Sequence, residues 1–279
     1  MPHKLRRRLG NLLNSLLGVF NLEIHRKVSA APTEHADQRH TLRGALEHIK
    51  RLGFSPKSIF DVGAAMGTTS LYEVFPDSKH LLIEPLEENR SYLERIVREL
   101  PDAEYIKAVA TASAGTVVLH VHPDLLGSSL YLEEEDSEVN GTPRNVACVS
   151  LDQIAEDRRC SAPYLIKLDV QGGELEALRG AGEVLKSTEY IVLEASLFGF
   201  FKGGPQIDEV FRFMTERGFV LYEALDYNYR PLDGAMSQMD LAFVKSEGIF
   251  RQQHCYATRE QRLQHTKGLL ASYHSGCID

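Results

Sequence analysis

Three acids in this chain close apolar runs. Lys79-His80-Leu81-Leu82-Ile83 is followed by Glu84, Tyr164-Leu165-Ile166-Lys167-Leu168 by Asp169, and Tyr190-Ile191-Val192-Leu193 by Glu194. Runs of this kind read as buried parallel strands. A charge at the end of one is costly unless it is paired or used. Carboxylates so placed can bind ligand hydroxyls, accept protons or hold a divalent cation. Asp169 and Glu194 are therefore expected to flank one cleft as catalytic candidates, with Lys167 beside them. Lys167 and Asp169 stand at i, i+2 and point the same way, so they fit equally an ion pair that anchors a turn. Glu174 reads as a first-turn helix carboxylate.

The element that must position these groups is Ile59-Phe60-Asp61-Val62-Gly63-Ala64-Ala65-Met66-Gly67-Thr68-Thr69-Ser70. It reads as a strand over 58–62, a turn with glycines spaced G-x-x-x-G, and a helix start. Glycine permits a positive-φ turn and close backbone approach, and free N–H groups at a helix start favour an electronegative ligand group. A nucleotide-like cofactor is expected across Asp61, Gly63, Ala64, Gly67 and Thr68. Glu84 lies 17 residues beyond Gly67, about where an acid in a nucleotide-binding βαβ unit takes ribose hydroxyls. Ala110, after a strand over 105–109, is placed beside the adenine. The spacing is not the dinucleotide G-x-G-x-x-G, and no Tyr-x-x-x-Lys pair occurs, which argues against an NAD-dependent dehydratase or reductase.

At 279 residues and 43% hydrophobic, the chain suits one α/β domain with extensions. The net charge is −8, yet Lys4, Arg6, Arg7, Arg8, Arg26 and Lys27 stand in the first 27 residues against Glu23 alone. The remainder is thus strongly acidic, which argues against nucleic acid as a partner. Four cysteines without a C-x-x-C suit a reducing cytoplasm. Leu5, Leu9, Leu12, Leu13, Leu16, Leu17 and Phe20 form one helical stripe, too short and too interrupted by Asn11, Asn14 and Ser15 to span a bilayer. No small-residue cleavage site follows it. This basic helix fits peripheral contact with an anionic membrane through residues 1–27, or docking on its own domain or a dimer mate. Three regions are expected: the basic helix and connector over 1–38, a cofactor-binding domain over 39–250 and a helical tail over 251–279.

Within the domain, Leu42, Ala45, Leu46 and Ile49 make a helix expected to floor or cover the cleft. Residues 87–100 make a second amphipathic helix ended by Pro101. Residues 116–122 alternate as a strand, with His120 and His122 on one face but no third ligand nearby to make a metal site. Residues 123–145 read as a long polar loop contributing to the acceptor pocket. Residues 197–205 form an aromatic, glycine-rich loop, 207–218 a helix, 219–224 a strand, and 225–231 a polar aromatic loop. The aromatic rings could stack on sugar faces or seal the core. In the tail, Thr258 and Gln261 form a capping box ahead of Leu263, Leu269, Leu270 and Tyr273, a packing or dimer element.

Phe60-Asp61-Val62-Gly63-Ala64-Ala65-Met66-Gly67, Ile83-Glu84-Pro85, Lys167-Leu168-Asp169-Val170-Gln171-Gly172 with Glu174, Leu193-Glu194 and Met239-Asp240-Leu241-Ala242-Phe243-Val244 together resemble the FkbM family of S-adenosylmethionine-dependent methyltransferases. The resemblance runs over roughly residues 41–250, in the family's order. It implies the Rossmann-like, seven-stranded class I methyltransferase sheet with helices on both faces and its last strand antiparallel. It also implies S-adenosylmethionine at the 63–67 loop with Glu84 on its ribose, and O-methylation of a small-molecule or glycan acceptor, as in saccharide or polyketide-like biosynthesis. Ala65 stands where the family usually has Asn, and Gln171 where it often has Glu, so no role needing a carboxylate at 171 is expected. Transfer to nitrogen or a carboxyl remains an alternative acceptor chemistry, and a non-catalytic scaffold would leave Asp169 and Glu194 dispensable.

Overall fold

The computed structural model describes residues 39–134 and 139–275. The basic stripe over 1–27 and its connector lie outside the described residues. The first described helix, α1 (Leu42–Arg51), is capped by Thr41, whose hydroxyl accepts the Gly44 N–H at 3.2 Å, and it buries Ala45, Leu46 and Ile49. Then follow β1 (Ser58–Val62), α2 (Thr69–Val74), β2 (Lys79–Ile83), α3 (Arg90–Glu99) and β3 (Ala103–Ile106). The chain continues through β4 (Val109–Ala110), β5 (Gly115–Val121), β6 (Thr142–Val149), α4 (Leu151–Asp157) and β7 (Tyr164–Leu168). It ends with α5 (Glu174–Arg179), α6 (Gly182–Lys186), β8 (Thr188–Ser196), α7 (Ile207–Glu216), β9 (Phe219–Tyr229), β10 (Met236–Lys245) and α8 (Arg259–Ser275).

Seven strands form one sheet in the order β3-β2-β1-β7-β8-β10-β9. The first five of these are parallel, and the last strand in sequence, β10, runs antiparallel to both its neighbours. Alternation along the strands sorts the core into two layers. Phe60, Val62, Leu81, Ile83, Ile166, Leu168, Ile191 and Leu193 face the layer of α4, α5, α6 and α7. Ile59, Leu82, Leu165, Tyr190 and Val192 face the layer of α1, α2 and α3. By the same period Asp61, Lys167, Glu194 and Asp240 fall on the second face. All stand toward the carboxyl ends of the parallel strands, where an open α/β sheet binds ligands.

Several expectations are corrected. The helix before β1 neither floors nor covers the cleft, because its apolar face is spent on the core under β1 and Lys50 donates to the Val74 carbonyl. The strand expected over 105–109 divides: β3 ends at Ile106, and Val109–Ala110 joins a second sheet of order β4-β6-β5. The polar stretch expected as loop up to 145 is already strand from Thr142, paired antiparallel with β5. The loop expected over 225–231 is largely a continuation of β9, which pairs with β10 as far as Tyr229 across register shifts. In α8 the capping box forms, with Thr258 N–H donating to Gln261 at 2.9 Å and Gln261 N–H to Thr258 at 3.2 Å. Leu263, Leu269 and Leu270 are exposed on it, so they do not pack on the domain. No helix among the described residues is long and apolar enough to cross a membrane.

The two sheets are locked together where α5 ends. A Cβ at Gly180 would collide with the Thr111 carbonyl oxygen and stand 3.0 Å from the Ser150 Cβ. Gly180→Ala is expected to lower the unfolding free energy by about 1–3 kcal/mol, read as a lower urea midpoint at unchanged slope.

Candidate active site

A cleft of about 200 Å³ opens at the carboxyl ends of β1, β2, β7 and β8. Its base is the turn after β1. Gly63 has φ +74°, and a Cβ there would collide with the Asp169 carbonyl oxygen, so only glycine lets the turns after β1 and β7 touch. The loop's N–H groups are largely spent inside the protein. Gly63 and Ala64 donate to the Ile83 carbonyl (2.9 and 3.2 Å), Gly67 to the Ala64 carbonyl (2.6 Å) and Thr68 to the Tyr72 hydroxyl (2.9 Å). The loop ahead of α2 thus offers a shape more than donors, and Tyr72 has taken the Thr68 N–H.

Asp61 explains that arrangement. It is fully buried, its Oδ1 accepts the Thr68 hydroxyl at 2.9 Å and its Oδ2 accepts the Tyr72 hydroxyl. Asp61, Ala64, Gly67 and Thr68, expected as cofactor contacts, do not line the cleft. They hold the turn from behind, since both Asp61 oxygens are engaged there. Gly63, Glu84, Ala110 and Asp169 do line it, as does Glu194.

Glu84 is only 5% exposed. Its Oε1 accepts the Leu86 N–H (2.9 Å) and its Oε2 the Ala65 N–H (3.0 Å). Burial pushes its pKa up, while these bonds and one from Asn89 pull against it. With Leu86, Ala65 and Asn89 as donors, the carboxylate keeps room for one more, which suits a ribose hydroxyl. The wall beyond it is apolar: Ala108 just before β4, Val109 and Ala110 on it, Leu119 from β5, and Leu125, Leu126 and Leu130 from the following loop. A carboxylate at one side of an apolar slot fits a nucleoside, ribose toward Glu84 and base toward the leucines.

The opposite end is acidic. Asp169, its side chain 40% exposed, accepts Lys167 Nζ on Oδ2 (3.2 Å) and the Gln171 amide on Oδ1 (3.0 Å). The same Gln171 nitrogen donates to Glu194 Oε2 at 3.0 Å, and Gln238 donates to that oxygen at 2.8 Å. Gln171 thus bridges two acids from the left-handed region, φ +51°, and a carboxylate in its place would lack the N–H that both acceptors require. Burial, then Asp169, Glu174 and Asp240, push Glu194 up to about 8 against the pull of Lys167. Burial lowers the Lys167 pKa, but Asp169, Asp61 and Asp240 outweigh it and raise it overall. Lys167 is buried and does not line the cleft; it steadies Asp169 from below. Glu174, pushed up to about 7 chiefly by burial, accepts the Val170 and Gly172 N–H groups (3.0 and 3.3 Å) and so braces the turn.

A divalent cation finds no suitable donor set here. No group of three His, Cys, Asp or Glu able to hold a metal occurs among the described residues. The lone pairs of Asp169 and Glu194 that a cation would need are partly taken by an ammonium and by amides. His122 instead sits 2.7 Å from Asp124.

A family model described as the methyltransferase FkbM domain matches residues 61–221. The chain belongs to the FkbM methyltransferase family. It is accordingly an S-adenosylmethionine-dependent methyltransferase with the seven-stranded α/β sheet of that class. No curated protein matches the sequence. Solved structures similar to this FkbM chain include a precorrin-6y C5,15-methyltransferase from Geobacter metallireducens GS-15, with 11% identity, TM-score 0.38 and coverage of 77% of this chain and 93% of that one. A 1,6-didemethyltoxoflavin-N1-methyltransferase from Burkholderia thailandensis, solved with S-adenosylhomocysteine, has 9% identity, TM-score 0.40 and coverage of 88% and 90%. The N-methyltransferase NodS from Bradyrhizobium japonicum WM9 has 9% identity, TM-score 0.40 and coverage of 73% and 93%.

Sequence reasoning missed Asn89, Tyr72 and Gln238 and gave Asp240 no role. Gln238 and Asp240 alternate on β10 toward the same end, a period-2 signal open to reading; Asn89 ends a 3-10 turn that carries no comparable pattern. Glu84→Ala, in a protein that still melts cooperatively, is expected to weaken S-adenosylhomocysteine binding at least tenfold by calorimetry, about 1.4 kcal/mol. Unchanged affinity would remove Glu84 from the cofactor site.

Proposed function

We propose that this FkbM-family enzyme methylates a hydroxyl of a saccharide or related hydroxylated metabolite, with Asp169 as the proton acceptor. The observation that carries this reading is the Asp169 carboxylate, which lines the cleft, is partly open to solvent and has its two oxygens held by Lys167 and Gln171. S-adenosylmethionine, when bound, supplies an electrophilic methyl group. The protein's part is to orient an acceptor oxygen, keep water away and take the hydroxyl proton. Asp169 has lone pairs left for that proton. Glu194 is less suited, since burial and its acidic neighbours keep it protonated near neutral pH; its role is to orient the acceptor together with Gln171 and Gln238.

A saccharide suits the groups beside that end of the cleft. Phe201 packs on the Gly172 turn, and the loop that carries it also holds Phe198 and Phe200, with their ring centroids 5.7 Å apart. Arg230 lies over the Phe198 ring, 3.9 Å from its centroid, and an aromatic loop next to the cleft's amides and carboxyls suits a sugar that takes both stacking and hydrogen bonds. Asp169→Asn is expected to retain S-adenosylhomocysteine affinity while methyl transfer in a panel of glycoside acceptors falls about 10²–10⁴-fold. Full turnover in that variant would contradict the assignment, and activity confined to amines in the panel would replace the hydroxyl by nitrogen.

A further inference from the structure

Asp240 is not used in the chemistry above, although it stands at the same end of the sheet. On β10 it lies directly across from Glu194 on β8 in the antiparallel register, and directly opposite side chains have their Cβ atoms about 4.5–5.5 Å apart. Glu194 lines the cleft and receives both glutamine amides on Oε2. No hydrogen bond from the described residues reaches the Asp240 carboxyl. The groups acting on this pair are Lys167 from β7, Asp169 after β7, Glu174 from α5 and Asp226 from β9, and Asp61 from β1 acts on Lys167 in turn. Lys167 is the only cation in that set. Two carboxyls so close, with one ammonium shared among several acids, resist ionising together.

We propose that Asp240 and Glu194 hold one proton between them near neutral pH, so that Asp240 sets the charge that Glu194 presents to the cofactor cleft. Asp240 is thus a positioning residue, acting through Glu194. The inference rests on the reading of the cleft as an S-adenosylmethionine site. Burial and then Asp169 push Asp240 up to about 7, while burial, Asp169, Glu174 and Asp240 push Glu194 up to about 8. The pair therefore gains negative charge across the physiological range. More negative charge favours a sulfonium cation over a neutral thioether, so the enzyme's preference for S-adenosylmethionine over S-adenosylhomocysteine should grow as pH rises.

The test is the ratio of the two dissociation constants, measured by calorimetry between about pH 6 and 9 for wild type, Asp240→Asn and Asp240→Glu. In wild type the preference for the cation is expected to rise with pH. Asp240→Asn removes the like charge, so Glu194 ionises more readily and the rise should move down by about one pH unit or more; Asp240→Glu should restore the wild-type position. The ligands' own amino groups titrate alike in all three proteins, so the shift between them isolates the pair. A ratio that is flat in wild type, or the same midpoint in wild type and Asp240→Asn, overturns the proposal. The wild-type arm stands even if a variant fails to fold. If neither ligand binds wild type, the cofactor reading itself has failed; if both bind with a flat ratio, only this inference has.

Discussion

Carboxylates cannot be left bare in a protein interior, and this site is built around that constraint. Asp61, Glu84, Asp169, Glu174, Glu194 and Asp240 converge on the carboxyl end of one sheet, and Lys167 is the cation shared by Asp61, Asp169, Glu194 and Asp240. Each is made tolerable in a different way. Asp61 is satisfied by two hydroxyls, Glu84 and Glu174 by backbone N–H groups, and Asp169 by an ammonium and an amide. Burial still raises the proton affinity of Glu84 and Glu174, and at Glu194 and Asp240 neighbouring acids add to that rise. The turn after β1, the turn after β7 and the β8–β10 register all follow from the need to bring these partners to these acids.

This gives the cleft a division of labour. Asp61 with Thr68 and Tyr72 fixes the shape of the first turn from behind, and the Gly63 contact passes that shape to Asp169. The small second sheet and the loop after β5 supply most of the apolar wall of the cleft. Family membership fixes the donor of the methyl group. The acceptor depends on the rim, where one fold hosts many substrates.

The main sheet and its acids were largely legible in the sequence, because a fully buried strand ending in a charge is an unusual pattern with few explanations. Glu84, Asp169 and Glu194 stand out in that way. What escaped had no such contrast. Thr142, Pro143 and Arg144 are exposed and none is a core-forming residue, so β6 reads as loop until its partner β5 is seen. The outer part of β9 is likewise polar, held in the sheet by β10 rather than by its own pattern. The roles of Asp61 and Thr68 turned on Tyr72, a residue from the next helix whose hydroxyl takes both a carboxylate and an amide. Spacing within the loop could not show that its N–H groups were already engaged.

The most direct measurement of the central claim is a crystal structure of the full chain with S-adenosylhomocysteine. The account predicts the ligand in the cleft between the two sheets, a ribose hydroxyl within hydrogen-bond distance of Glu84, the adenine against Ala110 and the leucine wall, and the sulfur toward Asp169 and Glu194. A ligand bound elsewhere, or in this cleft with its ribose away from Glu84, would contradict it.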